Sequence, residues 1–176
     1  FPRDMAVFPI GADGRGIRDR ESIDFTEYQR VTSGVMRARA PTNIEEVGFR
    51  PARERLSFNR EGDHISVVNG LGGTVGQLFY RDGNNLYTLT APLAAGGKAV
   101  LQAGAWKNGA VFTTIFPDPK QAMAQTPEIY RRVIDDQTSG AYLAVMEHSP
   151  FWDPGVPKID ERGSFHLVLG YVGAEQ

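Results

Sequence analysis

The stretch Val75-Gly76-Gln77-Leu78-Phe79-Tyr80-Arg81-Asp82-Gly83-Asn84-Asn85-Leu86-Tyr87-Thr88-Leu89-Thr90 decides the fold class. Two runs rich in aromatic and aliphatic residues flank Asp82-Gly83-Asn84. Asp, Gly and Asn tolerate the positive φ that a tight hairpin demands. The reading is a strand over Val75–Arg81, a tight turn, and a returning strand over Leu86–Thr90.

The same alternation extends in both directions. Upstream, Leu56 and Phe58 share one face of a strand, with Arg55, Ser57 and Asn59 on the other. Glu61-Gly62 is a turn, Ile65–Val68 a second strand, and Asn69-Gly70 opens a glycine-rich connection. Downstream, Ala99–Gln102 and Ala110–Phe116 read as strands around an Asn108-Gly109 turn, and Ala141–Met146 is a strongly apolar strand. In the last strand, Ser164–Val172, one face carries Phe165, Leu167, Leu169 and Tyr171, and the other Val168 and Val172, which predicts cover on both sides. One main helix is predicted around 118–136, with Asp118 as N-cap, Pro119 at the first helical position, and Met123, Pro127, Tyr130 and Ile134 inward. Near the start, Met5–Ile10 reads as a short strand and Gly11–Gly16 as a turn, whereas 21–40 fits either a helix or strands. Turns recurring at about 8–12 residues predict a mainly β chain: an antiparallel sandwich, or a barrel-like sandwich, forming a single domain over 1–176.

Composition narrows the function classes. The chain has 176 residues, 41% of them hydrophobic and 23% charged, which suits one globular domain with its own core. A formal net charge of −2 supplies no field for holding nucleic acid, so no nucleic-acid partner is expected. The absence of cysteine removes disulfides, thiolate nucleophiles and Cys-based zinc sites, and is compatible with an oxidising compartment. No apolar run approaches the roughly 20 residues of a membrane helix, and the first residue is Phe1, so a removed leader or a longer parent protein is expected.

Few residue patterns carry chemistry. The segment Gly70-Leu71-Gly72-Gly73-Thr74-Val75-Gly76 has the glycines of a phosphate loop, but that chemistry needs a helix to follow, and Val75–Tyr80 reads as strand. No nucleotide and no other cofactor is expected. The three histidines, His64, His148 and His166, show no helical metal-pair spacing. A composite metal site from Glu147, His148, His166 and Asp153 is conceivable beside a strand end, against the simpler reading of strand-end and core histidines. No Gly-x-Ser-x-Gly elbow occurs, and the acidic pairs Asp135-Asp136 and Asp160-Glu161 read as solvated helix-end and loop residues. Arg50, Arg53 and Arg55 form a basic stripe balanced by Glu45, Glu46 and Glu54. The 148–158 loop is the main recognition candidate, since Phe151 and Trp152 between prolines make a stiff aromatic platform to which His148 and Trp106 could contribute. The competing reading folds Trp152 back over the end of the sandwich.

The order of several pieces resembles a known group. Asn-Gly-Leu-Gly at 69–72 is followed by Asp-Gly-Asn-Asn-Leu-Tyr at 82–87 and Leu-Ala-Ala-Gly-Gly at 93–97. Gly-Ala-Tyr-Leu-Ala-Val at 140–145, Ser-Pro-Phe at 149–151 and His-Leu-Val-Leu-Gly at 166–170 close the series. Over roughly residues 50–172 this resembles the extracytoplasmic β-sandwich domains of uncharacterised bacterial inner-membrane proteins. The resemblance implies a periplasmic domain tethered through flanking segments, with no catalytic residues to carry over. The leading expectation is therefore a non-catalytic domain for interaction with a protein partner or for sensing a small ligand. The alternatives are a carbohydrate or small-ligand binding module using Trp152, Phe151 and Trp106, and a metal-assisted hydrolase using His148, His166 and Glu147.

Overall fold

Asp82-Gly83-Asn84-Asn85 makes the turn that the sequence predicts. In the computed structural model, Asp82 pairs with Asn85 and Tyr80 with Tyr87, leaving Gly83 and Asn84 as a two-residue loop with Gly83 at φ 58°. The structure describes the backbone of residues 5–10, 22–24, 30–33 and 43–48, and residues 52–107, 109–116, 134, 137–151 and 164–172. The chain divides into two compact units, Phe1–Arg53 and Glu54–Gln176.

In the first unit, strand β1 (Met5–Ile10) pairs antiparallel with β4 (Asn43–Gly48), and β2 (Ser22–Asp24) with β3 (Arg30–Ser33). The ambiguity over 21–40 thus resolves to strand wherever that segment is described. Pro9 sits opposite Ile44 in β1, a position open to proline because both strands of a two-stranded sheet are edges.

The second unit is an antiparallel sandwich of two sheets. Strands β5 (Leu56–Glu61), β6 (His64–Asn69) and β9 (Lys98–Val100) form one, in the order β5-β6-β9. Strands β7 (Val75–Asp82), β8 (Asn85–Thr88), β10 (Gln102–Ala105), β11 (Ala141–Met146) and β12 (His166–Tyr171) form the other, in the order β10-β8-β7-β11-β12. The chain changes sheets at Leu101, whose backbone N–H bonds to the Ile65 carbonyl at 2.8 Å just before β10 begins.

The larger sheet is apolar on both faces, and this explains the unbroken hydrophobicity of β11. Tyr142, Ala144 and Met146 face the smaller sheet, joining Leu56, Ile65, Val67, Leu78 and Tyr80 in the main core. Leu143 faces the other way and packs with Phe79, Val111, Phe112 and Ile115. Between β7 and β11 the register slips, with Val145 opposite Gln77 and Met146 opposite Val75. Gly76 is therefore an unpaired bulge residue, and the bulge turns both Val75 and Leu78 toward the main core.

Two expectations are corrected here. Ala110–Phe116, expected as strand, contains helix α1 (Ala110–Ile115). Its buried residues Val111, Phe112 and Ile115 fall at helical spacing, with Phe116 buried just beyond. The Thr114 hydroxyl donates to the Ala110 carbonyl at 2.8 Å, so the β-branched residues find partners inside the turn. Second, among the described residues β12 ends its sheet, and its outer face is covered only near Phe165, whose ring lies 4.8 Å from that of Phe116. Leu167, Leu169 and Tyr171 are exposed, whereas Val168 and Val172 pack inward. The helix predicted around 118–136 lies outside the described residues except for Ile134, which is helical and buried in the α1 cluster.

Candidate functional site

Alternation along β5 puts Leu56, Phe58 and Arg60 on one face, Leu56 buried, Phe58 half-buried and Arg60 exposed near the strand end. The Phe58 ring lies 4.7 Å from the Tyr80 ring of β7 and 5.4 Å from the Tyr142 ring of β11, at tilted angles that suit aromatic quadrupoles. Arg60 pairs with Asp82 at the end of β7 and bridges the two sheets. At this degree of exposure such a pair contributes little energy, about 0.2–1 kcal/mol, and acts mainly as a spacer.

Between β5 and the β11–β12 side of the larger sheet lies a cleft of about 520 Å³. Its apolar floor is Leu56, Ile65 and the rings of Phe58, Tyr80 and Tyr142, and its rim includes Arg55, Ser57, Asn59, Tyr171 and Val172. That volume falls within the roughly 300–1,000 Å³ of small-molecule sites.

Tyr142 reaches the cleft because Gly170 stands opposite it on β12. A Cβ at Gly170 would come within 2.4 Å of the Tyr142 Cζ and Oη, so no side chain fits beneath the ring. Burial pushes the Tyr142 phenol above its usual pKa, partly offset by a hydrogen bond with the Leu56 backbone. Burial also raises Tyr80; Asp82 adds to the shift and Arg60 opposes it. Both phenols therefore stay neutral at physiological pH, able to donate and accept hydrogen bonds but not to act as phenolate bases.

Backbone contacts at the β5 start hold the rim. The Gly70 N–H donates to the Arg55 carbonyl at 3.0 Å, and a Cβ at Gly70 would lie 2.5 Å from that oxygen. Asn69 organises the rest of the glycine-rich loop. Fully buried, it donates to the carbonyls of Gly73 at 2.8 Å and Leu93 at 2.9 Å, and accepts from the Leu71 N–H at 3.0 Å. The glycines that looked like a phosphate loop lead into strand β7, and their backbone serves this internal network.

The residues singled out in the sequence are dispersed. Phe151 is half-buried and packs against the main core, with its N–H 3.2 Å from the Ser149 hydroxyl. Trp106 lies on the other face of the larger sheet, in the α1 cluster, with the Arg81 guanidinium 4.6 Å from its ring centroid. His148 and Glu147 are exposed beyond the end of β11, and His166 sits opposite Met146. Trp152 and Asp153 lie outside the described residues. Among the described residues, no three His, Asp or Glu side chains gather closely enough to hold a metal ion.

Sequence reasoning passed over Phe58, Tyr80, Tyr142 and Gly170 as site residues. The available signals were inward tyrosines at core positions and a glycine inside an otherwise bulky strand, which marks a close approach. No protein-family model, curated protein or solved structure matches the chain.

Proposed function

We propose that this chain is a non-catalytic binding domain that takes a small ligand into the cleft between its sheets. The observation that carries this reading is a cleft of about 520 Å³ whose lining includes three aromatic rings contributed by both sheets, Phe58 half-buried and Tyr80 and Tyr142 buried. Apolar walls with a few hydrogen-bonding groups at the rim are the common composition of ligand pockets. The phenols in the lining stay neutral, and its other polar residues are Arg55, Ser57, Asn59 and Arg60. A neutral aromatic probe, phenyl-naphthylamine, tests the reading by methyl NMR. Saturable shifts at Leu56, Ile65 and Val172 are expected. Shifts confined to Leu167 and Leu169 on the exposed face of β12, or none at all, would overturn it.

The domain is further proposed to work outside the cytoplasm as the sensing part of a membrane protein. The motif order over residues 50–172 and the cysteine-free composition support this. Among the described residues no helix is long and apolar enough to cross a membrane, so tethering would rest on other segments. With no native thiol, Asp63→Cys at the exposed β5–β6 turn provides a unique label. Reaction with a membrane-impermeant maleimide in intact spheroplasts is expected, and protection until lysis would sink the localisation.

A further inference from the structure

Accepting the cleft as a binding site, we infer that its ligand is a neutral, largely apolar molecule bearing a carbonyl or hydroxyl oxygen, and that the Tyr80 hydroxyl is the group that selects it. The observation behind this is a phenol held inside the sandwich with its hydrogen-bonding capacity unused. Tyr80 is 8% exposed and lines the cleft, its ring packed against those of Phe58 at 4.7 Å and Tyr87 at 6.0 Å. Its hydroxyl makes no hydrogen bond among the described residues. Among those residues, only the Gln137 carboxamide is both unbonded and sealed from solvent. The Tyr80 hydroxyl therefore keeps a small opening, and the cleft is the opening that Tyr80 borders.

The other polar groups of the lining are engaged or turned away. Arg60 is paired with Asp82, and Tyr142 is hydrogen-bonded with the Leu56 backbone. Ser57 and Asn59 alternate onto the exposed face of β5 opposite Phe58, and the Asn59 carboxamide donates to Glu61 at 2.9 Å. Tyr80 is thus the polar contact left to a ligand lying on the rings. A neutral phenol offers its proton to an oxygen acceptor and can accept from a hydroxyl in return. A carboxylate would meet the charge of Asp82, which acts on this phenol more strongly than Arg60 does. An ammonium group would have to displace Arg60 from Asp82. A pure hydrocarbon would cut the hydroxyl off from water and give it no partner, a costly outcome for a buried polar group.

Two probes of the same shape separate this inference from the reading it rests on. Acetylnaphthalene carries the acceptor oxygen, and ethylnaphthalene does not. Affinities are read from the Ile65 and Val172 methyl shifts of the full chain and of Tyr80→Phe, which keeps the ring and removes the hydroxyl. Acetylnaphthalene should bind Tyr80→Phe about fivefold more weakly than the parent protein, the size of one neutral hydrogen bond, while ethylnaphthalene binds both alike or the variant slightly better. An acetylnaphthalene affinity that survives Tyr80→Phe, or an equal loss for both probes, would overturn the assignment of Tyr80 while leaving the cleft as a binding site. If neither probe shifts those methyls in the parent protein, the binding reading falls, and the role of Tyr80 with it.

Discussion

Gly170 and Tyr142 show how a single missing side chain shapes the site. Tyr142 belongs to the most apolar strand of the chain, yet its ring spreads over the edge strand because the residue opposite has no Cβ. Gly170→Ala places a methyl where the ring lies, so the ring must move off Phe58 or the strands must part. Overpacking of this kind costs about 1–3 kcal/mol. Urea melts should show that loss, and it should largely vanish when the change is made in a Tyr142→Ala background. Additive losses in the double-mutant cycle would mean that the two residues do not share the space. The glycine was visible in the sequence, but its partner was not, because cross-strand neighbours are set by register rather than by proximity along the chain.

At the scale of elements, the β7–β8 hairpin and helix α1 make a contrast. The hairpin depends on local backbone chemistry: Gly83 holds φ 58° with nothing within 4 Å of where a Cβ would point. Gly83→Val should therefore destabilise by about 1–2 kcal/mol through backbone strain alone, whereas Gly83→Asn should be nearly neutral. Equal losses for the two variants would show that crowding, not conformation, sets the cost. Helix α1 follows the opposite logic. Its Val, Thr and Ile residues favour a strand by propensity, and a strand was the expectation. The apolar face of the larger sheet instead selects the helical spacing of Val111, Phe112 and Ile115.

For the sandwich unit as a whole, the two sheets meet across an aromatic layer whose tyrosines titrate. Burial raises the pKa of Tyr80 and Tyr142, so the folded state keeps their protons at pH values where the unfolded chain, with ordinary values near about 10, has begun to lose them. The unfolded state then binds fewer protons, and stability falls as pH rises above about 10; below that pH the contribution is fully present. A Tyr80→Phe, Tyr142→Phe double variant should lose less stability than the parent protein between neutral and strongly alkaline pH. Comparing the two cancels the lysines, which titrate in the same range. Parallel alkaline melting curves would show that these phenols do not contribute.

The sequence by itself determined several strands and turns of the sandwich, but not the break at Leu101 between β9 and β10, where a single strand over Ala99–Gln102 was expected. Alternation placed Leu56 and Phe58 on one face, and the Glu61-Gly62 and Asp82-Gly83 pairs marked hairpins at which glycine takes φ 60° and 58°. These are short-range effects, fixed by backbone sterics and side-chain period within a few residues. Only the tertiary structure decided which strands share a sheet, that β5 and β12 end their sheets among the described residues, and that the 110–115 segment is helical. It likewise decided that Phe58, Tyr80 and Tyr142 converge on one cleft while Phe151 and Trp106 part to opposite faces of a sheet. Those outcomes depend on burying apolar area between residues far apart in the chain. Burial is non-directional, and no local pattern records which distant partner supplies it.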